Sequence, residues 1–171
     1  SKPKVRTANV PLPSAARACS TESRRWSVVT GQTVAQDVKT FRKAAKFEDV
    51  RDDLKTAIES KGLVIDYHSH INTMIERTGK DVGSSRKLYA DAQAFVFCSA
   101  ALSRKTMEAD AANVAMCPYT ITVYETVQQP GTTHVAYKRP WRRDGSAASK
   151  AALKEVETLL DGIARVSVGM K

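Results

Sequence analysis

The chain has 171 residues, 42% of them hydrophobic, which is enough for one folded domain with its own core. Lys and Arg outnumber Asp and Glu by 27 to 18, which gives a formal net charge of +9. This excess favours acidic partners, whether nucleic acid, anionic lipid or an acidic protein surface. No apolar run approaches the roughly 20 residues of a membrane-spanning helix, so no such span is predicted.

The first 35 residues are predicted to be an extended basic arm. They contain three prolines and six basic residues against one acidic residue, Glu22. Segments of this composition tend to stay mobile or to lie on a neighbouring surface. We therefore divide the chain into a basic arm at 1–35, an α+β domain at 36–145, and a C-terminal amphipathic helix with its tail at 146–171.

Hydrophobic periodicity predicts the elements of the first half of the domain. A strand at 38–44 precedes an amphipathic helix at 47–60, which Gly62 ends. A strand at 63–69 follows, with Leu63, Ile65 and Tyr67 expected on one face and Val64, Asp66 and His68 on the other. Ser69 is expected to cap a short helix that buries Ile71, Met74 and Ile75.

The second half alternates between strands and helices, with one clear hairpin. This mixture indicates an α+β fold, an antiparallel sheet with helices packed on one face. In order, the predicted elements are a loop at 79–86, a strand at 94–100, a helix at 103–116, hairpin strands at 119–127 and 134–138, and a final helix with apolar positions from Ala152 to Ile163.

The stretch "IDYHSH" at 65–70 contains two of the three histidines. Asp66, His68 and His70 share one face if the strand continues through residue 70, and neighbouring imidazoles can bind zinc or copper. A helix capped by Ser69 would instead turn His70 away from His68, leaving a solvated strand end. In the metal-binding interpretation the other ligands come from Met74, Cys98 or Cys117, and the cofactor is copper, zinc or haem.

The segment "YKRPWRRDG" places Trp141 among four basic residues. Arginine and tryptophan can stack on nucleic-acid bases, but no recognisable nucleic-acid-binding motif accompanies them. A protein-docking surface is the better interpretation, and nucleic-acid binding ranks third among the hypotheses. The residues expected to bind an acidic partner are Lys2, Lys4, Arg6, Arg24, Arg25, Lys138, Arg139, Trp141, Arg142 and Arg143.

Three blocks of sequence resemble the domain-of-unknown-function 302 family. These blocks are "SHINTMIERTGKDVGSSRKLYADAQAFVFCSA", "MEADAANVAMCPYTITVYET" and "THVAYKRP", within residues 38–140. The "FCSA" and "CPY…VYE" blocks are similar to those of a proteobacterial branch whose members look exported. The resemblance implies a TATA-binding-protein-like architecture, often dimeric, and a periplasmic chain that starts at Ser1 after signal removal. It implies no known reaction.

Export would make a disulfide chemically accessible. Cys98 ends one predicted strand and Cys117 precedes the next, and the two can meet if the intervening helix breaks near "EADAAN". We expect a Cys98–Cys117 disulfide with Cys19 free, while buried thiols, a reactive thiol or metal ligation remain alternatives.

We find no catalytic constellation, so the first functional hypothesis is a non-enzymatic periplasmic accessory protein. It would dock on an acidic partner through its basic surface and arm, in an electron-transfer or sulfur-oxidation assembly. The alternative is a metal- or haem-binding redox domain that uses histidine, methionine and cysteine ligands.

Overall fold

A computed structural model describes residues 37–170. The fold is α+β, as predicted, with one five-stranded antiparallel sheet in the order β1-β5-β4-β3-β2. The strands are β1 (Val38–Ala44), β2 (Ile65–His70), β3 (Tyr89–Phe97), β4 (Tyr119–Thr126) and β5 (Thr132–Lys138). The helices are α1 (Phe47–Glu59), α2 (Ile71–Thr78), α3 (Ala100–Ala109), a 3-10 helix (Ala111–Met116) and α4 (Ala147–Ser167).

The hydrophobic core lies between one face of the sheet and the helices α1 and α4. Its sheet side comes from alternate positions, among them Phe95, Ile121 and Val135, because successive strand side chains point to opposite faces. Leu54 of α1 and Ile163 of α4 are fully buried against this face. The C-terminal helix is therefore part of the same core as the sheet.

Strand β2 departs from simple alternation because it contains an irregularity. Ile65 pairs with Phe97 and Tyr67 pairs with Val96, so the register shifts between Ile65 and Tyr67. A β-bulge adds one residue and reverses the faces beyond it. Ile65 packs against the core, whereas Tyr67 is 63% exposed, so the prediction that they share a face was wrong.

Helix α2 begins after His70, and no side chain caps it. The predicted cap at Ser69 was wrong, since Ser69 lies within β2 and pairs with Ala94. None of the α2 side chains is buried, and Met74 is 47% exposed, which corrects the predicted apolar face.

The predicted helix at 103–116 is two elements. Ser99 caps α3, which starts earlier than predicted, and Asp110 caps the 3-10 helix that follows. The chain therefore bends at "EADAAN", as the residue types there suggested. Within residues 37–170, no helix is both long and apolar enough to cross a membrane.

Candidate functional site

His68 and His70 lie side by side on the same face of β2. The strand continues through residue 70, so the two imidazoles remain neighbours and their ring centroids are 4.6 Å apart. His68 also stacks on Phe95, with 4.3 Å between centroids. Since Phe95 belongs to the buried core, it fixes the plane of the His68 ring from below.

A chain of hydrogen bonds from Asp91 through Gln93 holds His68 in one tautomer. The Gln93 amide nitrogen donates to Asp91 Oδ2 at 3.1 Å, which turns Gln93 Oε1 toward His68 Nε2 at 2.8 Å. A carbonyl oxygen only accepts, so Nε2 must carry the proton. In the neutral ring, Nδ1 is then left with a free lone pair. We call this arrangement the Asp91–Gln93–His68 chain.

The two histidines line a groove of about 640 Å³ between β2 and α1. Its volume falls within the range of small-ligand sites, about 300–1,000 Å³. The base includes Phe95 and Gln93, while charged residues of α1 line the rim in oppositely charged pairs. Those rim residues are Arg51, Asp52, Lys55 and Glu59.

The other sequence-predicted metal ligands lie apart from this pair. Met74 is on the exposed surface of α2, and the two cysteines are not among the groove-lining residues. In the part of the chain that the structure describes, no three His, Cys, Asp or Glu side chains are grouped to hold a metal. A metal at His68 and His70 would therefore take its remaining ligands from water or from another molecule.

Cys98 and Cys117 form a second cluster, at the end of β3 and the start of β4. Their sulfurs are 2.8 Å apart, and both residues are half-buried free thiols. Ser103 Oγ lies 3.5 Å from Cys117 Sγ and 3.1 Å from the Tyr119 hydroxyl. Burial, followed by the neighbouring Cys117 sulfur, raises the pKa of the Cys98 thiol to about 11.

Most of the predicted docking residues at 138–143 have partners within the fold. Arg139 Nε bonds Glu157 Oε1 at 2.7 Å, and Trp141 Nε1 donates to Asp37 at 2.8 Å. Arg142 reaches Asp110, Asn113 and Asp144. Lys138 and Arg143 are exposed. The predicted arm residues Lys2, Lys4, Arg6, Arg24 and Arg25 fall outside the described residues.

Sequence reasoning missed Asp91 and Gln93, although "YADAQAFVF" contained a usable signal. Two polar residues alternate on the face that also carries Phe95 and Phe97, and Gln93 is buried. A buried amide requires hydrogen-bond partners. Finding His68 as that partner requires the pairing of β2 with β3, which neither segment reveals alone.

Comparison with known proteins identifies the family. The model of "Domain of unknown function DUF302" matches residues 38–166 and so reaches into α4. A crystal structure titled as an uncharacterized conserved DUF302 protein from Bacillus stearothermophilus superposes with a TM-score of 0.64 at 13% identity. The alignment covers 78% of this chain and 99% of that one, and at this identity it shows the fold alone. No curated protein matches. With three quarters of its length inside the family model, the chain belongs to the DUF302 family.

Proposed function

We propose that the domain binds a transition-metal ion at His68 and His70. The supporting observation is the adjacent imidazole pair, in which the Asp91–Gln93–His68 chain fixes one ring. Metal-bound histidines commonly donate their second ring N–H to an oxygen acceptor, which orients the ring and increases its basicity. Gln93 supplies that acceptor, and Asp91 orients Gln93.

The spacing of the rings suits two ligands on one ion. With metal–nitrogen bonds of about 2.0 Å, two imidazoles at about 90° around an ion have ring centroids roughly 4.5 Å apart. The observed 4.6 Å is consistent with this cis arrangement. A right angle is typical of copper or nickel, and the tetrahedral angle of zinc would place the centroids roughly 5 Å apart, so an adjacent pair at this spacing suits these ions rather than haem.

An open groove suits an ion that keeps exchangeable positions. Two protein ligands leave room for water or for a donor atom of a small molecule, as in sites where a ligand must reach the metal. The paired charges of Arg51 with Asp52 and Lys55 with Glu59 line that opening. We therefore expect weaker binding than at a closed four-ligand structural site.

Calorimetric titration with Cu²⁺ and Zn²⁺ tests the proposal. We expect one ion per chain, and an affinity loss of about tenfold or more for His68→Ala and for His70→Ala. Gln93→Leu should lower affinity by about 10- to 100-fold, as expected when the hydrogen-bond partner of a ligating histidine is removed.

His134 provides a matched control. It is the third histidine, it also lies on a strand, and its Nε2 contacts Gln129 Oε1 at 3.2 Å. His134→Ala should bind metal like the parent protein. Equal affinity for the parent and for His68→Ala would refute the proposal, as would loss of binding only in His134→Ala. Repeating the titration with Cys98→Ser separates this site from the thiols.

Docking on an acidic partner is a second proposal, supported by the distribution of charge. The first 35 residues contain six basic residues and one acidic residue, so they account for much of the +9 charge. Arg139 and Arg142 of the folded part are neutralised by Glu157, Asp110 and Asp144. The arm would then supply the electrostatic attraction to the acidic partner. The setting of this docking would be a periplasmic electron-transfer or sulfur-oxidation assembly.

A chain without residues 1–35 tests the docking proposal. In pull-downs from the envelope of the native host, the full chain should retain an acidic partner at low salt and release it at high salt, because salt screens exposed charges. The shortened chain should retain little. Equal retention by the two chains, or retention that does not depend on salt, would contradict the proposal.

A further inference from the structure

The thiol pair lies where the fold itself brings two separate segments together. Phe97 pairs with Tyr119, so the residues just beyond β3 and just before β4 become neighbours. The sulfurs are 2.8 Å apart, so a movement of about 0.8 Å would bring them to the roughly 2.05 Å of a disulfide bond. Phe97 and Tyr119 are both core residues, so the packing of the fold keeps the two segments that carry the cysteines adjacent.

We propose that Cys98 and Cys117 are a redox-active pair that exchanges reversibly with small disulfides of the glutathione type. Both residues are half-buried, so a small reagent can reach them from solvent. The proposal does not depend on the metal site, since neither thiol lines the histidine groove.

In the proposed exchange, Cys117 makes the first attack and Cys98 the second. Cys117 Sγ has two possible hydrogen-bond partners, Cys98 Sγ at 2.8 Å and Ser103 Oγ at 3.5 Å, and in each pair either atom can donate. A thiolate on Cys117 would accept both bonds, and the thiolate is the nucleophile in disulfide exchange. Burial and the neighbouring Cys117 raise the pKa of the Cys98 thiol more than its hydrogen bonds with Ser103 and the Tyr119 backbone lower it, so we assign Cys98 to the second step, as the thiol that keeps its proton during the first.

The exchange proceeds in two steps with balanced electrons. The Cys117 thiolate attacks oxidised glutathione, which forms a mixed disulfide and releases one glutathione thiolate. Cys98 then attacks Cys117 Sγ, its proton passes to the second departing glutathione, and the Cys98–Cys117 bond forms. The two protein thiols are oxidised by two electrons, and one glutathione disulfide is reduced to two thiols.

Capping Cys117 also prepares Cys98 for the second step. The mixed disulfide carries no charge on Cys117, so the two contributions of Cys117 to the raised pKa of Cys98 are lost and only the contribution of burial remains. Cys98 can then ionise more readily beside the sulfur that it attacks.

Alkylation and mass spectrometry across a series of glutathione redox buffers test the proposal on the folded full-length chain. We expect Cys98 and Cys117 to lose their free thiols together as the buffer becomes oxidising, and to regain them when it is reversed. Cys98→Ser should accumulate one glutathione per chain on Cys117. Cys117→Ser should form its adduct about tenfold or more slowly, because the sulfur assigned to the first attack is gone and the remaining Cys98 thiol has a raised pKa.

Cys19→Ser is the matched control and should keep the full redox response. The proposal fails if both thiols remain free in the most oxidising buffer, or if an existing bond yields to reductant only after unfolding. Faster adduct formation in Cys117→Ser than in Cys98→Ser would overturn the assigned roles. Circular dichroism of each variant establishes that it is folded.

Discussion

Asp161 of α4 is the most strongly stabilised carboxylate in the described part of the chain. It accepts hydrogen bonds from Lys39 and Arg165 and from the Tyr137 hydroxyl. Burial alone would raise its pKa, but these three donors outweigh that cost and lower the pKa to about 2. The cluster joins the edge strand β1 to the last turns of α4.

This depressed pKa predicts an acid-sensitive contribution to stability. The pKa of Asp161 is lower in the folded than in the unfolded chain, so the stabilisation is present above about pH 4 and disappears as pH falls toward 2. Because Lys39 is partly exposed, we expect Asp161→Asn to cost about 1–2 kcal/mol at pH 7. Urea unfolding of the parent protein and of Asp161→Asn at pH 7, 4 and 2 measures this cost. A cost that did not shrink toward pH 2 would contradict it.

The candidate metal site could be predicted only in part from single residues. The residue types and their spacing identified His68 and His70 as candidate metal ligands. A metal site and a solvated strand end both remained open, because serine is also a common helix cap and Ser69 lies between the histidines. Whether the two imidazoles stay neighbours depends on how far β2 pairs with β3, and this pairing extends to His70 and Gln93. That pairing is a long-range contact, which a local pattern does not contain.

At the scale of elements, Asn113 connects α3, the 3-10 helix and α4. Its amide donates to Thr106 O at 2.8 Å and to Ser149 Oγ at 2.9 Å, and the residue is 1% exposed. Asn113→Ala would leave buried polar groups without partners, at a cost of about 1–3 kcal/mol in unfolding free energy. The adjacent Val114 is 57% exposed, so Val114→Ala should change stability by less than about 0.5 kcal/mol. Equal effects in urea unfolding would contradict this account.

The elements themselves were largely predictable, because most follow strong periodicity. The strand at 38–44 matches β1, and the helix predicted at 47–60 matches α1 to within one residue. The wrong predictions concern β2 and α2, where tertiary structure overrode the local sequence pattern. In β2 a bulge reversed the expected faces, and α2 leaves Met74 exposed although its pattern is amphipathic.

At the scale of the whole molecule, the Cys98–Cys117 bond would restrict the unfolded chain. Closing a loop of about 20 residues stabilises a protein by about 3 kcal/mol in the chain-entropy estimate. We expect the oxidised protein to unfold at higher urea than the reduced one, and Cys98→Ser to show no such difference. Identical midpoints for two samples whose thiol counts differ by two would contradict this prediction.

The most direct test of the proposed metal site is to observe the histidine ring nitrogens by ¹⁵N NMR, with and without Zn²⁺. In the metal-free neutral ring, His68 should carry its proton on Nε2, because Gln93 Oε1 accepts from that atom. Zn²⁺ should then change the ¹⁵N chemical shifts of Nδ1 of His68 and of one ring nitrogen of His70, and leave those of His134 unchanged. A His68 ring protonated on Nδ1 instead, or Zn²⁺ shifts confined to His134, would contradict the account.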